Sequence, residues 1–222
     1  MELLPNYYKW TYGTFGPYLQ GQAIELGCGA GLGIATYIDR IEQVVAVDYD
    51  EGLLRRVREA LPEGRIRTIQ ADLRGEWTEL AGLSADVVVL MDVLEHFSDD
   101  AAFLEKAVAL AKPGGFVVVK VPAQSALYSP MDQASGHFKR YDPSDIEDLA
   151  NRVGVEVQSV RPLNCLGGLA YRLKNRQSTN FSKSFAPWQL RAINLGLPLV
   201  RLFDLVPGLP GLSLAAVLRR PV

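Results

Sequence analysis

Gly27-Cys28-Gly29-Ala30-Gly31-Leu32-Gly33 follows the apolar run Ala23-Ile24-Glu25-Leu26 directly and leads straight into Ile34-Ala35-Thr36-Tyr37-Ile38. This order predicts a strand, a tight glycine turn and a helix. Such a corner lets a ligand approach the backbone at the carboxyl end of a sheet. The same alternation continues along the chain. Val44-Val45-Ala46-Val47-Asp48 reads as a buried strand, Leu53 to Leu61 as a helix stopped by Pro62, and Ile66 to Ala71 as a third strand ending at Asp72. Ala85 to Met91 is a fourth strand, apolar enough to be covered on both faces. Asp99 to Ala111 places Phe103, Leu104, Ala107, Val108 and Ala111 on one helical stripe, ended by Lys112-Pro113-Gly114-Gly115. Phe116 to Val121 is a fifth strand. A helix opened by Asp142-Pro143-Ser144-Asp145 and closed by Gly154 precedes a sixth strand, Val155 to Val160, and Leu212 to Leu218 is a seventh.

Strands alternating with helices predict an α/β fold on a parallel sheet with right-handed crossovers. At 222 residues the chain suits a single domain, residues 1–222. About fifty residues, 163–210, separate the last two strands, too many for a plain loop, so a helical insertion is expected there. Residues 1–20 are rich in aromatics, and two readings stand for them: a helix docked on the core, or a lid over a pocket.

Two cysteines, Cys28 and Cys165, are too few for a disulfide framework. Met1 to Asn6 shows neither a basic region nor an apolar run, and no stretch reaches the roughly 18 uninterrupted apolar residues of a spanning helix. The expectation is a cytoplasmic protein without a transmembrane segment. The net charge of −2 is uneven: residues 155–222 hold nine Lys or Arg against Glu156 and Asp204, whereas residues 1–154 are acidic. A sequence pI near 5.8 argues against a nucleic-acid partner.

Acids stand at three successive strand ends. Glu25 precedes the glycines, Asp48 ends the second strand and Asp72 follows the third. An acid beside the loop repels a pyrophosphate, and Leu32 occupies the third glycine position of the dinucleotide fingerprint. Both features oppose a nicotinamide-dependent dehydrogenase. A nucleoside carrying a cationic sulfonium suits the set better. Asp48 is placed to accept from ribose hydroxyls, and Asp72 from an exocyclic amine.

As an ordered set, Glu25-Leu26-Gly27-Cys28-Gly29-Ala30-Gly31, Val47-Asp48, Ala71-Asp72-Leu73, Asp92-Val93-Leu94-Glu95-His96 and Lys112-Pro113-Gly114-Gly115 resemble the motifs of class I S-adenosylmethionine-dependent methyltransferases. Tyr7-x-x-Trp10, Gly136 to Tyr141 and Gly211 to Leu214 resemble a subgroup of small bacterial members. The resemblance implies a Rossmann-like, seven-stranded, mostly parallel sheet and S-adenosylmethionine as cofactor. It implies that Gly27, Gly29 and Gly31 line the methionine part, with Glu25 ordering the loop near the amino group. Asp48 would hold the ribose, Tyr49 would pack on the adenine, and Asp72 with Leu73 would read it. Met91 and Asp92 would face the methionine, and Tyr7 or Trp10 would cover the cofactor.

A hydroxyl or ammonium acceptor needs a base for its proton. His96 and His137 are the neutral-pH candidates, each with a competing reading as a structural histidine. Tyr12 and Tyr141 are taken as acceptor contacts. Asp92, Glu95 and His96, at i, i+3 and i+4, would share a face if the stretch were helical. The short Asp92 limits their reach to one ion, so the expectation carries no metal. The acceptor is expected to be a small or amphiphilic molecule, hydrophobic or anionic, methylated at oxygen, with nitrogen or carbon as alternatives. A non-catalytic cofactor-binding subunit is the competing class. The 163–210 insertion would form the acceptor pocket or a dimer surface, leaving monomer and homodimer both open.

Overall fold

The computed structural model describes residues 4–173 and 187–222. Its elements run α1 (Pro5–Gly13), β1 (Gln22–Leu26), β2 (Gln43–Asp48), α2 (Glu51–Ala60), β3 (Ile66–Gln70), β4 (Ala85–Met91), α3 (Asp100–Ala109), β5 (Ala111–Pro122), α4 (Pro130–Ala134), α5 (Pro143–Val153), β6 (Glu156–Leu163), α6 (Cys165–Leu173), α7 (Pro187–Val200) and β7 (Ser213–Arg219). The seven strands form one sheet in the order β3-β2-β1-β4-β5-β7-β6. β1 to β5 pair in parallel, and β7 runs antiparallel to both β5 and β6. The architecture is the mostly parallel, Rossmann-like sheet the sequence predicts.

Local chemistry accounts for the boundaries. Asp50 caps α2 by accepting from Gly52 and Leu53 N–H, and Asp99 caps α3 through Ala102 N–H. α5 opens on a capping box of Asp142 and Asp145 around Pro143, and Gly154 closes it in the left-handed region. β4 is apolar throughout Val87–Leu90, all fully buried, because helices cover both faces of the sheet. One face packs on α3 and α5 through Leu104, Leu149 and Val119. The other packs on α1 and α2 through Phe15, Leu54 and Val118.

Several expected boundaries change; β6, for one, runs on to Leu163 instead of ending at Val160, and α3 ends at Ala109 instead of Ala111. The helix predicted over Ile34–Ile38 is a pair of 3-10 turns, Ile34–Thr36 and Ile38–Arg40. Tyr37 between them leaves the helical path (φ −129°, ψ −4°) and points its hydroxyl inward to Glu25. β5 starts at Ala111, not Phe116, because Lys112–Gly115 join the strand across a register shift opposite Ala85 and Val87. The expected insertion contains α6, α7 and a 3-10 turn, Arg201–Leu205. α7 is tied to α1 by two hydrogen bonds between Asn6 and Asn194, of 2.8 and 2.9 Å. Tyr171, Phe181 and Phe185 of the insertion lie outside what the structure describes of side chains. Among the described residues, no helix is long and apolar enough to cross a membrane.

Candidate functional site

β1 and β4 are neighbours in the sheet, but the chain leaves β1 toward β2 and returns at β4 from the other side. Their carboxyl ends therefore diverge into a crevice, the usual ligand position in such sheets. A cavity of about 240 Å³ occupies it. The glycine loop, Gly27 to Ala30 with Leu32 and Gly33, forms one wall. Met91 and Asp92 form the facing wall, Lys120 enters from β5, and Tyr7, Tyr8, Thr11 and Tyr12 of α1 cover it. The aromatic N-terminal segment contributes to both: Phe15 and Leu19 are core residues, while Tyr7, Tyr8, Thr11 and Tyr12 of α1 line the cavity.

The loop's shape depends on its glycines. Gly27 takes φ +72°, and a Cβ there would fall 2.8 Å from Val93 Cγ2. At Gly33 a Cβ would land 2.0 Å from the Tyr12 ring, so only glycine admits that ring beside the loop. Asp48 fastens the loop: its Oδ2 accepts from Gly29 N–H at 2.8 Å and its Oδ1 from Asp50 N–H at 3.1 Å.

Glu25 corrects the sequence expectation. It does not face the cavity. Its carboxylate is buried beneath the stacked Tyr12 and Tyr37 rings and accepts from both hydroxyls, each at 2.6 Å. Burial pushes its pKa up to about 7, against the opposing pull of the two tyrosine hydrogen bonds. Tyr12, expected to touch the acceptor, spends its hydroxyl on Glu25 while its ring lines the cavity.

Asp92 and Lys120 form the cavity's charged feature. Asp92 sits in the left-handed region (φ 57°), an uncommon conformation for a residue with a side chain. Both its oxygens accept from Lys120 Nζ. The Lys120 side chain is almost fully buried. Burial alone would lower its pKa, but the Asp92 charge overrides this and holds it above the ordinary lysine value. Its ammonium also lies 5.8 Å from the Tyr7 ring centre. Thr11 Oγ1, on the covering helix, is buried without a hydrogen-bond partner among the described residues. Sequence reasoning missed Lys120, although a lone lysine inside Phe-Val-Val-Val-Lys-Val was a visible signal.

The remaining expected residues divide. Gly31 and Trp10 do not line the cavity; Trp10 is buried and stacks edge-on behind Tyr7. Tyr49 is 66% exposed, and Asp72 is an exposed turn residue accepting from Arg74 N–H. Leu73 packs against the α3 side of the core. Tyr141 corrects another expectation. It is fully buried and donates to Asp100 at 3.1 Å, so it presents nothing to an acceptor. The helical face that would have joined Asp92, Glu95 and His96 does not form. Only Leu94–His96 make a 3-10 turn, and Asp92 is drawn off by Lys120.

His96 and His137 instead meet each other edge to face, ring centres 4.8 Å apart, and neither lines the cavity. His96 Nδ1 faces Gly136 O at 3.2 Å, and His137 Nδ1 faces Asp132 Oδ1 at 3.3 Å. Burial first, and the neighbouring His137 second, lower the pKa of His96. A Glu95 carboxylate oxygen lies within 4.8 Å of a ring nitrogen of each, and Glu95 is fully buried.

Comparisons with known proteins agree with this architecture. Residues 24–119 match the methyltransferase domain family. A "Probable S-adenosylmethionine-dependent methyltransferase" of Mycolicibacterium smegmatis is 30% identical over 151 residues, 66% of this chain. A ubiquinone biosynthesis O-methyltransferase of Rhodopseudomonas palustris is 33% identical over 103 residues, 43% of this chain. The chain spans 56% of the first relative's length and 37% of the second's. An S-adenosylmethionine-dependent methyltransferase from Mesorhizobium loti shares the fold with a TM-score of 0.61 at 18% identity, covering 94% of this chain and 95% of that one. The strand order and the glycine corner agree with these matches: over residues 24–119 the chain is similar to S-adenosylmethionine-dependent methyltransferases, and it shares their fold.

Proposed function

We propose that this protein transfers a methyl group from S-adenosylmethionine to an oxygen of a small or amphiphilic acceptor. The observation that carries the reading is the Asp92–Lys120 pair on the cavity wall opposite the glycine loop. A zwitterionic amino-acid end presents an ammonium and a carboxylate, and the pair offers one partner to each. The orphaned Thr11 Oγ1 supplies a further polar group at the same place, so the residues present fit the cofactor.

The loop from Gly27 to Gly33 gives the ligand close access to backbone, and Asp48, behind the cavity lining, holds that loop with lone pairs left to accept from ribose hydroxyls. Tyr49, Asp72 and Leu73 belong to the adenine end. Met91 and Asp92 face the methionine end, under Tyr7 and Tyr8. When bound, S-adenosylmethionine supplies a methyl group on a cationic sulfur, so orientation of the acceptor accounts for much of the rate. The α1 cover excludes water. His96 and His137, outside the cavity lining, remain the candidates to take the proton of an acceptor oxygen.

The ubiquinone biosynthesis O-methyltransferase among the relatives supports oxygen as the methylated atom. The acceptor would enter beside α1 and the α7 insertion bonded to it.

The test uses two ligands. S-adenosylhomocysteine carries the amino-acid end, and 5′-methylthioadenosine lacks it. Lys120→Met should weaken S-adenosylhomocysteine at least tenfold in calorimetry and leave methylthioadenosine nearly unchanged. Equal losses for both, or none, would remove the assigned role of the pair. Incubating the protein with ¹³C-methyl cofactor and a panel of phenols and hydroxylated lipids should give a methoxy carbon signal. Label on nitrogen or carbon alone would overturn the oxygen assignment.

A further inference from the structure

Glu95 carries a full carboxylate into the protein interior, yet neither oxygen has a hydrogen-bond partner among the described residues. An uncompensated buried carboxylate is costly, and native structures pair such groups or give them to a metal. One oxygen of Glu95 and one ring nitrogen each of His96 and His137 lie within 4.8 Å of one another. We propose that these three side chains form a binding site for a divalent first-row metal ion of the zinc type.

Three further observations agree. The donor set, two imidazoles and one carboxylate, is the one that open zinc sites use, leaving a coordination position for an oxygen ligand. Each imidazole is oriented by an acceptor behind it, Gly136 O for His96 and the Asp132 carboxylate for His137. With Nδ1–H donated there, each ring leaves Nε2 as its lone-pair nitrogen, the arrangement characteristic of metal-bound histidine. Asp132 is itself held by Arg140 Nε at 2.9 Å and by Ser129, so the support behind His137 is fixed.

Donors sharing an ion at roughly 2.0–2.2 Å sit about 3–4 Å apart, so the cluster closes on an ion by a small side-chain adjustment. Access is available: His96 is exposed and His137 half-buried, while Glu95 closes the inner side. The site differs from a helical Asp92–Glu95–His96 set, because Lys120 holds Asp92 and the third donor comes from the loop after α4. A bound ion would occupy the ring nitrogens and lower the proton affinity of an oxygen ligand in its open position, so it would replace an imidazole base. Ion binding itself does not depend on the methyl-transfer reading.

The experiment titrates the chelator-stripped full chain with Zn²⁺ in a calorimeter and with Co²⁺ by visible absorption. One ion per chain is expected, with a cobalt spectrum of low coordination number. His96→Ala and His137→Ala should each weaken zinc at least tenfold. Asp132→Asn, which touches no ion, should weaken it by about 10–100-fold. Glu95→Gln should abolish the cobalt spectrum. If that variant does not fold, the exposed His96 variant still decides. Zinc binding undiminished by both histidine substitutions, or no saturable uptake by the wild type, overturns the site. The affinity of the same proteins for S-adenosylhomocysteine reports separately on the cofactor reading.

Discussion

Glu25 and Glu95 are buried carboxylates near the carboxyl ends of the adjacent strands β1 and β4, and their surroundings differ completely. Glu25 receives two tyrosine hydroxyls and lies under two stacked rings. Among the described residues no side chain bonds to the Glu95 oxygens, and their near neighbours are two histidines and the Asp92 charge. Burial pushes both pKa values up; two tyrosine side chains oppose the shift at Glu25, whereas at Glu95 the Asp92 charge adds to it. A carboxylate completed by its own protein braces the loop. A buried carboxylate left without a partner, a condition that among the described residues only Thr11 Oγ1 shares, marks a place where something else binds. The glycine-loop region is therefore a finished scaffold, and the region around Glu95 is a receptor.

The largest expected effect tests the finished side. Folding raises the Glu25 pKa to about 7 from an ordinary value of 4.5. The folded state then binds the proton more tightly than the unfolded chain. The stabilisation is complete below the unfolded value and is lost as pH rises through about 7. Glu25→Gln keeps a donor and an acceptor for the two tyrosines and cannot ionise. Between pH 4.5 and 8 the wild type should lose on the order of 3 kcal/mol more stability than the variant. Parallel denaturation curves across that range would show that Glu25 is not held neutral. Next comes Asp48→Ala, which frees Gly29 N–H and Asp50 N–H. It should cost about 1.5–3 kcal/mol of S-adenosylhomocysteine binding by calorimetry. Unchanged affinity would mean that the loop keeps its shape without this anchor. Gly33→Ala drives a methyl group into the Tyr12 ring. It should lower folding stability by about 1–3 kcal/mol in urea unfolding, since the ring cannot retreat without breaking its bond to Glu25. A neutral result would show that α1 is looser than its contacts imply.

The scaffold was legible in the sequence for the reason that makes it finished. Strand periodicity, Pro62, the Asp142-Pro143 cap and the glycines are local signals, and local geometry follows from them. Seven strands and the crevice could be read before any coordinates. Side-chain direction could not. Glu25 was expected to order the glycine loop near the amino group, but only tertiary packing brings Tyr12 and Tyr37 over it and turns it from the cavity. Tyr141 was expected at the acceptor because it ends the Gly136–Tyr141 segment, yet its ring turns into the α3 and α5 core. The partnership of His137 with Glu95 joins residues 42 positions apart through loops, which no spacing encodes.

The smallest expected effect separates Tyr141 from the receptor region beside it. Tyr141 lies four residues after His137 and next to Arg140, which supports Asp132, so proximity alone would assign it to the acceptor. Its contacts point elsewhere: the hydroxyl donates to Asp100, which also holds Lys139 at 2.6 Å, and the Lys139 ammonium sits 4.5 Å from the Tyr141 ring centre. Tyr141→Phe removes one hydrogen bond while keeping the ring, and Asp100 retains its lysine. The substitution should cost about 1 kcal/mol of folding stability. It should leave zinc affinity and the KM for the acceptor as they are. A raised KM without loss of stability would move Tyr141 to the acceptor side and extend the receptor region through the β5–α5 connection. A loss of stability alone keeps that region confined to Glu95, His96 and His137.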